Sequence, residues 1–112
     1  MGNYPDEGIR SVLASVVDNG ADITKPLFAT FDAVVPDYDI KLNQEIRSRI
    51  IEAGYEIGEV KNYGEDDENR VLFECNKAMV LSHSAVCNEY DTVDRAVAPF
   101  GGYCDGFVVT LP

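Results

Sequence analysis

A short stretch near the end of the chain constrains the fold most, because within it a helix must end and a strand must begin. It reads Phe-Gly-Gly-Tyr-Cys-Asp-Gly-Phe and covers residues 100–107. Gly101 or Gly102 can adopt the positive φ that ends a helix. The residues after them, rich in tyrosine, phenylalanine and valine, predict a strand, and Gly106 within it predicts a bulge or a close backbone approach. The stretch therefore predicts a helix-to-strand corner that closes an α+β domain.

Hydrophobic periodicity predicts one helix and then the order strand-helix-strand-strand-helix-strand. The predicted strands cover residues 27–35, 55–60, 70–80 and 103–111. The predicted helices have apolar stripes at Ile9, Val12, Leu13, Val16 and Val17, at Leu42, Ile46, Ile50 and Ala53, and at Val86, Tyr90, Val93 and Val97. Apolar side chains on both faces of the first strand place it inside its sheet. Two split β-α-β units joined by a hairpin predict a ferredoxin-like βαββαβ sandwich with a four-stranded antiparallel sheet and an extra N-terminal helix. The 112 residues fit a single domain, 1–112.

The charge indicates the kind of partner. Twenty acidic residues against nine basic ones give a formal net charge of −11. Such a chain is repelled by RNA and DNA and attracted to basic proteins, so we expect a basic protein partner and no direct nucleic acid binding. Four consecutive acids form a predicted hairpin tip that is either a solvated turn or a docking element; they are Glu65, Asp66, Asp67 and Glu68.

The sequence offers little for catalysis, metal binding or membranes. His83 is the only histidine, and no serine or cysteine stands in a recognisable nucleophile motif that it could serve as a base. It is therefore interpreted as a surface or capping residue. Cys75, Cys87 and Cys104 are far apart and fit buried, reduced thiols. We therefore predict no enzyme, no metal and no cofactor. The chain has no apolar run of about 18 residues and no secretory signal at its start, which predicts a cytoplasmic protein without a membrane segment.

Three stretches resemble the regulator of ribonuclease activity B (RraB) family. They are Gly-Tyr-Glu-Ile at 54–57, Val-Leu-Phe-Glu-Cys at 71–75 and, above all, the corner at 100–107. The Asn-Gly-Ala-Asp turn at 19–22 is similar to that family's D-G-x-D turn, and the resemblance extends over residues 9–111. The family's usual residue after Asp-Gly is tryptophan, where this chain has Phe107, and members often have a long acidic tail that is absent here. The resemblance implies a regulator that binds the endoribonuclease RNase E and lowers its activity without acting on RNA.

The leading hypothesis is therefore an acidic protein that inhibits or modulates a ribonuclease by covering its RNA-facing basic surface. An immunity protein or antitoxin that neutralises a toxic nuclease is the alternative in the same class, and a small hydrolase is the alternative from another class. A homodimer joined through an edge strand is a structural alternative. In a regular strand Tyr103 and Phe107 would share a face and could both be core. The candidate contact residues are Glu65, Asp66, Asp67, Glu68, Tyr103, Asp105 and Phe107.

Overall fold

The fold is an antiparallel sheet covered by helices on one face. The computed structural model describes residues 6–62 and 69–111. Its elements are α1 Asp6–Asp18, β1 Leu27–Val35, a 3-10 turn Ile40–Leu42, α2 Asn43–Glu52, β2 Glu56–Asn62, β3 Val71–Met79, α3 His83–Val97, a 3-10 turn Ala98–Phe100 and β4 Tyr103–Thr110. The strand order is β2-β3-β1-β4, with every neighbouring pair antiparallel. The predicted ferredoxin-like α+β architecture with an added N-terminal helix is confirmed, and β1 lies inside the sheet as predicted.

The core lies between the helices and one face of the sheet. Phe31 at the centre of β1 is fully buried, stacks on Phe107 of β4 with 5.5 Å between ring centroids, and meets the edge of Tyr55 at 6.1 Å. All three helices contribute buried residues to this cluster, among them Ile9, Ile46 and Val93. The predicted stripes are confirmed except at Val17, whose side chain is half exposed because the face that α1 buries is narrower than the apolar pattern.

A capping serine begins α3, and two glycines follow its end. The Ser82 hydroxyl accepts a hydrogen bond from the Ala85 amide and caps α3. Gly101 has φ 74°, and the Gly102 amide donates to the Val97 carbonyl, so the predicted helix-ending glycine is Gly101. Gly102 has a different role, because a Cβ there would lie only 2.8 Å from the Val34 carbonyl oxygen. The two glycines thus permit a turn and a close backbone contact, respectively.

A bulge in β4 decides which of its side chains enter the core. Phe107 pairs with Phe31 and Gly106 with Asp32, but the next pair is Cys104 with Ala33, so Asp105 is an extra residue in β4. The extra residue reverses the alternation, which leaves Tyr103 exposed and Phe107 buried. The irregularity predicted near Gly106 is confirmed.

Within residues 6–62 and 69–111, the helices are too short or too polar to cross a bilayer.

Candidate protein interface

The sheet face opposite the helices presents its side chains in rows that run across the strands. Cross-strand pairing aligns Leu72, Val34 and Tyr103 in one row and Glu74, Asp32 and Gly106 in the next. Two further rows follow: Asn76, Thr30 and Val108, then Ala78, Phe28 and Thr110. The Thr30 hydroxyl donates to the Asn76 side-chain oxygen at 2.8 Å, as expected of neighbours on one face. We call this surface the open face.

The second row concentrates negative charge. Glu74 lies directly opposite Asp32, and the bulged Asp105 lies beside Gly106, the other neighbour of Asp32. Lys61 on β2 partly balances Glu74, because its Nζ lies 3.7 Å from Glu74 and 3.6 Å from Glu59. The Glu74 carboxylate also accepts a hydrogen bond from the Glu59 amide at 3.0 Å, which fixes its position at the sheet surface. The row is therefore an ordered line of carboxylates across three strands.

Asp32 is the carboxyl group most affected by this arrangement. Partial burial raises the pKa of Asp32 above its ordinary value, and the negative charges of Glu74 and Asp105 raise it further, against the opposing effect of Lys61. A raised carboxyl pKa means that the ionised form is less favourable here than in water. An additional cation at this point would relieve that cost.

Apolar side chains border the acidic row on both sides. Tyr103 is 38% exposed in the first row, while Val108 and Phe28, in the third and fourth rows, are 55% and 43% exposed. Tyrosine is enriched in surfaces that bind proteins. The open face thus combines a row of carboxylates with exposed apolar side chains.

The candidate contact residues differ in their exposure and position. Tyr103 and Asp105 lie at the start of β4 and are exposed, so both are accessible beside the acidic row. Phe107 is 8% exposed and packs on Phe31, so it serves the core, because the bulge turns it away from Tyr103. The acidic tip formed by Glu65, Asp66, Asp67 and Glu68 lies outside the described residues.

The two acidic residues Asp32 and Glu74 were not among the candidates, although the sequence contained their signal. Alternation along the strands already places Asp32 and Glu74 on the faces opposite Phe31 and Phe73. What the pattern does not give is the register that sets Asp32 opposite Glu74.

A second group of polar side chains joins the start of α1 to the start of α3. The His83 Nε2 atom lies 2.5 Å from Asp6 Oδ1, and the Cys87 Sγ atom lies 3.7 Å from the same nitrogen. The other Asp6 oxygen accepts a hydrogen bond from Arg10 at 2.9 Å. These bonds hold the pKa of Asp6 below its usual range, with Arg10 the larger cause and His83 the second. All three cysteines are free and buried, as predicted. The i, i+4 spacing of His83 and Cys87 was visible in the sequence, whereas their approach to Asp6 depends on how α1 docks.

Together, the fold and the open face define a ferredoxin-like sandwich whose sheet carries a row of carboxylates on the face opposite the helices. Comparison with known families makes the assignment specific: the chain belongs to the RraB family, described as Regulator of ribonuclease activity B, whose model matches residues 6–109. The resemblance inferred from the corner motif is thus confirmed over nearly the whole chain.

Solved structures share the fold at low sequence identity. A metal-binding peptidase of Bacillus subtilis, the YXEP protein, described as a dinuclear peptidase of the M20 family, aligns with a TM-score of 0.50 and 14% identity. The alignment covers 96% of this chain but only 38% of the peptidase. At this identity the likeness concerns the fold alone. No curated protein matches the chain.

Proposed function

We propose that this chain lowers the activity of an RNase E-type endoribonuclease by binding it through the open face. Membership of a family of regulators of ribonuclease activity supports a ribonuclease as the partner. The net charge of −11 supports binding to the basic surface on which such an enzyme holds RNA. The single observation on which the proposal rests is the acidic row of Glu74, Asp32 and Asp105, a concentration of negative charge to which an arginine or lysine of the partner would be attracted.

The proposed contact has a charged centre and an apolar border. A partner cation placed over Asp32 would interact with two or three carboxylates at once, and the partly desolvated position strengthens that interaction. Tyr103 would supply buried area beside it, since tyrosine is enriched among the residues that dominate binding energy. Covering the ribonuclease's cationic surface would then exclude RNA by competition. The acidic tip at 65–68 stays a prediction as an additional contact.

The test compares two charge-matched double variants as inhibitors of RNA cleavage. Asp32→Asn with Glu74→Gln removes two charges from the open face, and Glu45→Gln with Glu52→Gln removes two from exposed positions on α2. Each pair changes the net charge equally, so any loss of long-range attraction is shared. We measure cleavage of a fluorogenic single-stranded RNA by the RNase E-type enzyme of the same organism against increasing concentrations of each variant.

We expect the open-face variant to need at least about tenfold more protein for half inhibition, because a close interfacial charge pair is worth about 1.5 kcal/mol or more. The α2 variant should remain within about threefold of the native chain, because charges far from a contact act mainly on the association rate. Equal loss in both variants would show that only net charge matters and would contradict an interface on the open face. Failure of the native chain to inhibit, or cleavage of the RNA by the chain alone, would contradict the proposed function itself.

A further inference from the structure

The side chains that meet between α1 and α3 are of three kinds that bind transition metals together. Asp6, His83 and Cys87 offer a carboxylate oxygen, an imidazole nitrogen and a thiol sulfur, and these three atoms all lie within 4.8 Å of one another. His83 and Cys87 are one turn apart on α3, so the helix presents both on the same side. Asp6 comes from the first turn of α1, which lies outside the βαββαβ core. We propose that these residues form a three-ligand site for a zinc-like divalent cation, with a fourth position for water.

The distances are close to those that such a site requires. With metal bonds of about 2.3 Å to sulfur and about 2.0 Å to nitrogen or oxygen, tetrahedral ligands lie about 3.3–3.6 Å apart. The observed Sγ–Nε2 distance of 3.7 Å is about 0.1 Å longer than this range. Because Sγ also lies 3.9 Å from Nδ1, the His83 ring must turn so that its Nε2 lone pair points to an ion shared with the thiolate. The Nε2–Oδ1 distance of 2.5 Å is that of a hydrogen bond, so Asp6 must move away by about 0.8 Å as two metal bonds replace it. An exposed residue in the first turn of a helix can make that movement.

The surroundings match the chemistry of a metal centre. Arg10 holds the second oxygen of Asp6, as groups around metal ligands commonly do, and so orients the first oxygen toward His83. Cys87 is buried while His83 is partly exposed, which leaves an entry path from the Asp6 side. Binding would release the Cys87 thiol proton, and any proton on Nε2, to solvent as the thiolate and the neutral imidazole become ligands. Sulfur and imidazole together favour Zn²⁺ over Mg²⁺ or Ca²⁺.

Such an ion would join α1 to the rest of the domain. It would add to the apolar packing of α1 and to the hydrogen bond between Asp6 and His83. The inference is independent of the proposed ribonuclease contact, because the site is built from the starts of α1 and α3 and not from the open face.

The test uses Co²⁺ as a spectroscopic probe and Zn²⁺ as its competitor, on the full chain without a histidine tag and kept reduced. We expect one equivalent of Co²⁺ to give a thiolate-to-cobalt charge-transfer band and the strong visible bands of a tetrahedral site, both removed by Zn²⁺. Cys87→Ser should abolish the charge-transfer band, and Asp6→Asn should weaken Co²⁺ binding at least tenfold. Arg10→Gln should weaken it about tenfold by the loss of orientation.

The control is Cys104→Ser, since Cys104 is another buried thiol, placed in β4 and hydrogen-bonded to the Gly106 carbonyl. Circular dichroism shows whether each variant is folded, and Asp6→Asn alters an exposed side chain, so a folded test variant is available even if Cys87→Ser is not. Absence of saturable binding by the native chain would overturn the proposal. A charge-transfer band that survives Cys87→Ser, or that is lost in Cys104→Ser instead, would also overturn it.

Discussion

Replacing Asp32 by asparagine should stabilise the protein near neutral pH, although it is designed to weaken partner binding. Burial, Glu74 and Asp105 raise the pKa of the Asp32 carboxyl above its ordinary value of 3.8. A carboxyl with a raised pKa in the folded state favours folding when protonated and opposes it when ionised. Its cost is therefore absent below pH 3.8 and develops as the pH rises through the raised pKa. Asparagine has nearly the same shape and never ionises.

Burial is the largest cause of the raised pKa, and the register gives the size of the additional repulsion between carboxylates. Like charges directly opposite in a sheet cost about 0.2–1 kcal/mol, and Asp32 has Glu74 opposite on β3 and Asp105 near it on β4. Lys61 offsets part of this repulsion. We therefore expect Asp32→Asn to raise the free energy of unfolding by about 0.5–1 kcal/mol at pH 7. For a domain of this length that corresponds to a rise in Tm of about 2–5 °C.

Thermal unfolding followed by circular dichroism at pH 3.5, 5 and 7 tests this prediction. The control is Asp37→Asn, which removes one charge from an exposed position in the turn after β1. The gain in Tm for Asp32→Asn should be present at pH 7 and disappear at pH 3.5, whereas the control should change little at pH 7. A variant that melts at or below the native temperature at pH 7, or whose gain persists unchanged at pH 3.5, would refute the argument from charge repulsion.

Two further expectations concern association and the corner. The association rate with the ribonuclease should fall steeply as salt rises from about 50 to 500 mM, because screening shortens to a few ångström; a rate that stays constant in stopped-flow measurements would count against charge attraction. Gly102→Ala should cost about 1–3 kcal/mol in urea unfolding, because its Cβ would lie 2.8 Å from the Val34 carbonyl oxygen. Gly106→Ala, where a Cβ meets open space, should stay within about 0.5 kcal/mol, and equal losses in both variants would show that close packing at Gly102 is not the cause.

Local patterns in the sequence were enough to predict the elements and their order. Alternation in β1 and the stripe on α3 reflect burial, which side-chain periodicity reports directly. The αL glycine at 101 was also predictable to within one position, because few residues other than glycine adopt that conformation. The exposure of Val17 was not predictable from the apolar stripe of α1, because it depends on how much of the α1 surface is covered by the neighbouring α3 and β4.

The candidate site was predictable only in part, because it depends on register and docking. Gly106 indicated an irregular strand, but whether the extra residue precedes or follows it decides if Phe107 faces the core or a partner. The acidic row depends on the pairing of Asp32 with Glu74, which are 42 positions apart in the sequence. Asp6 and His83 are 77 positions apart, and nothing in the pattern of α1 fixes where that helix docks.

The extra residue in β4 divides this strand into two segments that can evolve separately. Beyond the bulge, Phe107 is tied to Phe31, so substitutions there are limited by the interior. Before it, Tyr103 lies on the open face and is 38% exposed, so substitutions there are less limited by the interior. Homologues could therefore change partner by substitution at the beginning of β4 while keeping the same interior. Deletion of one residue at the bulge, by contrast, would reverse the alternation of one segment, place an aromatic ring in water and destabilise the strand.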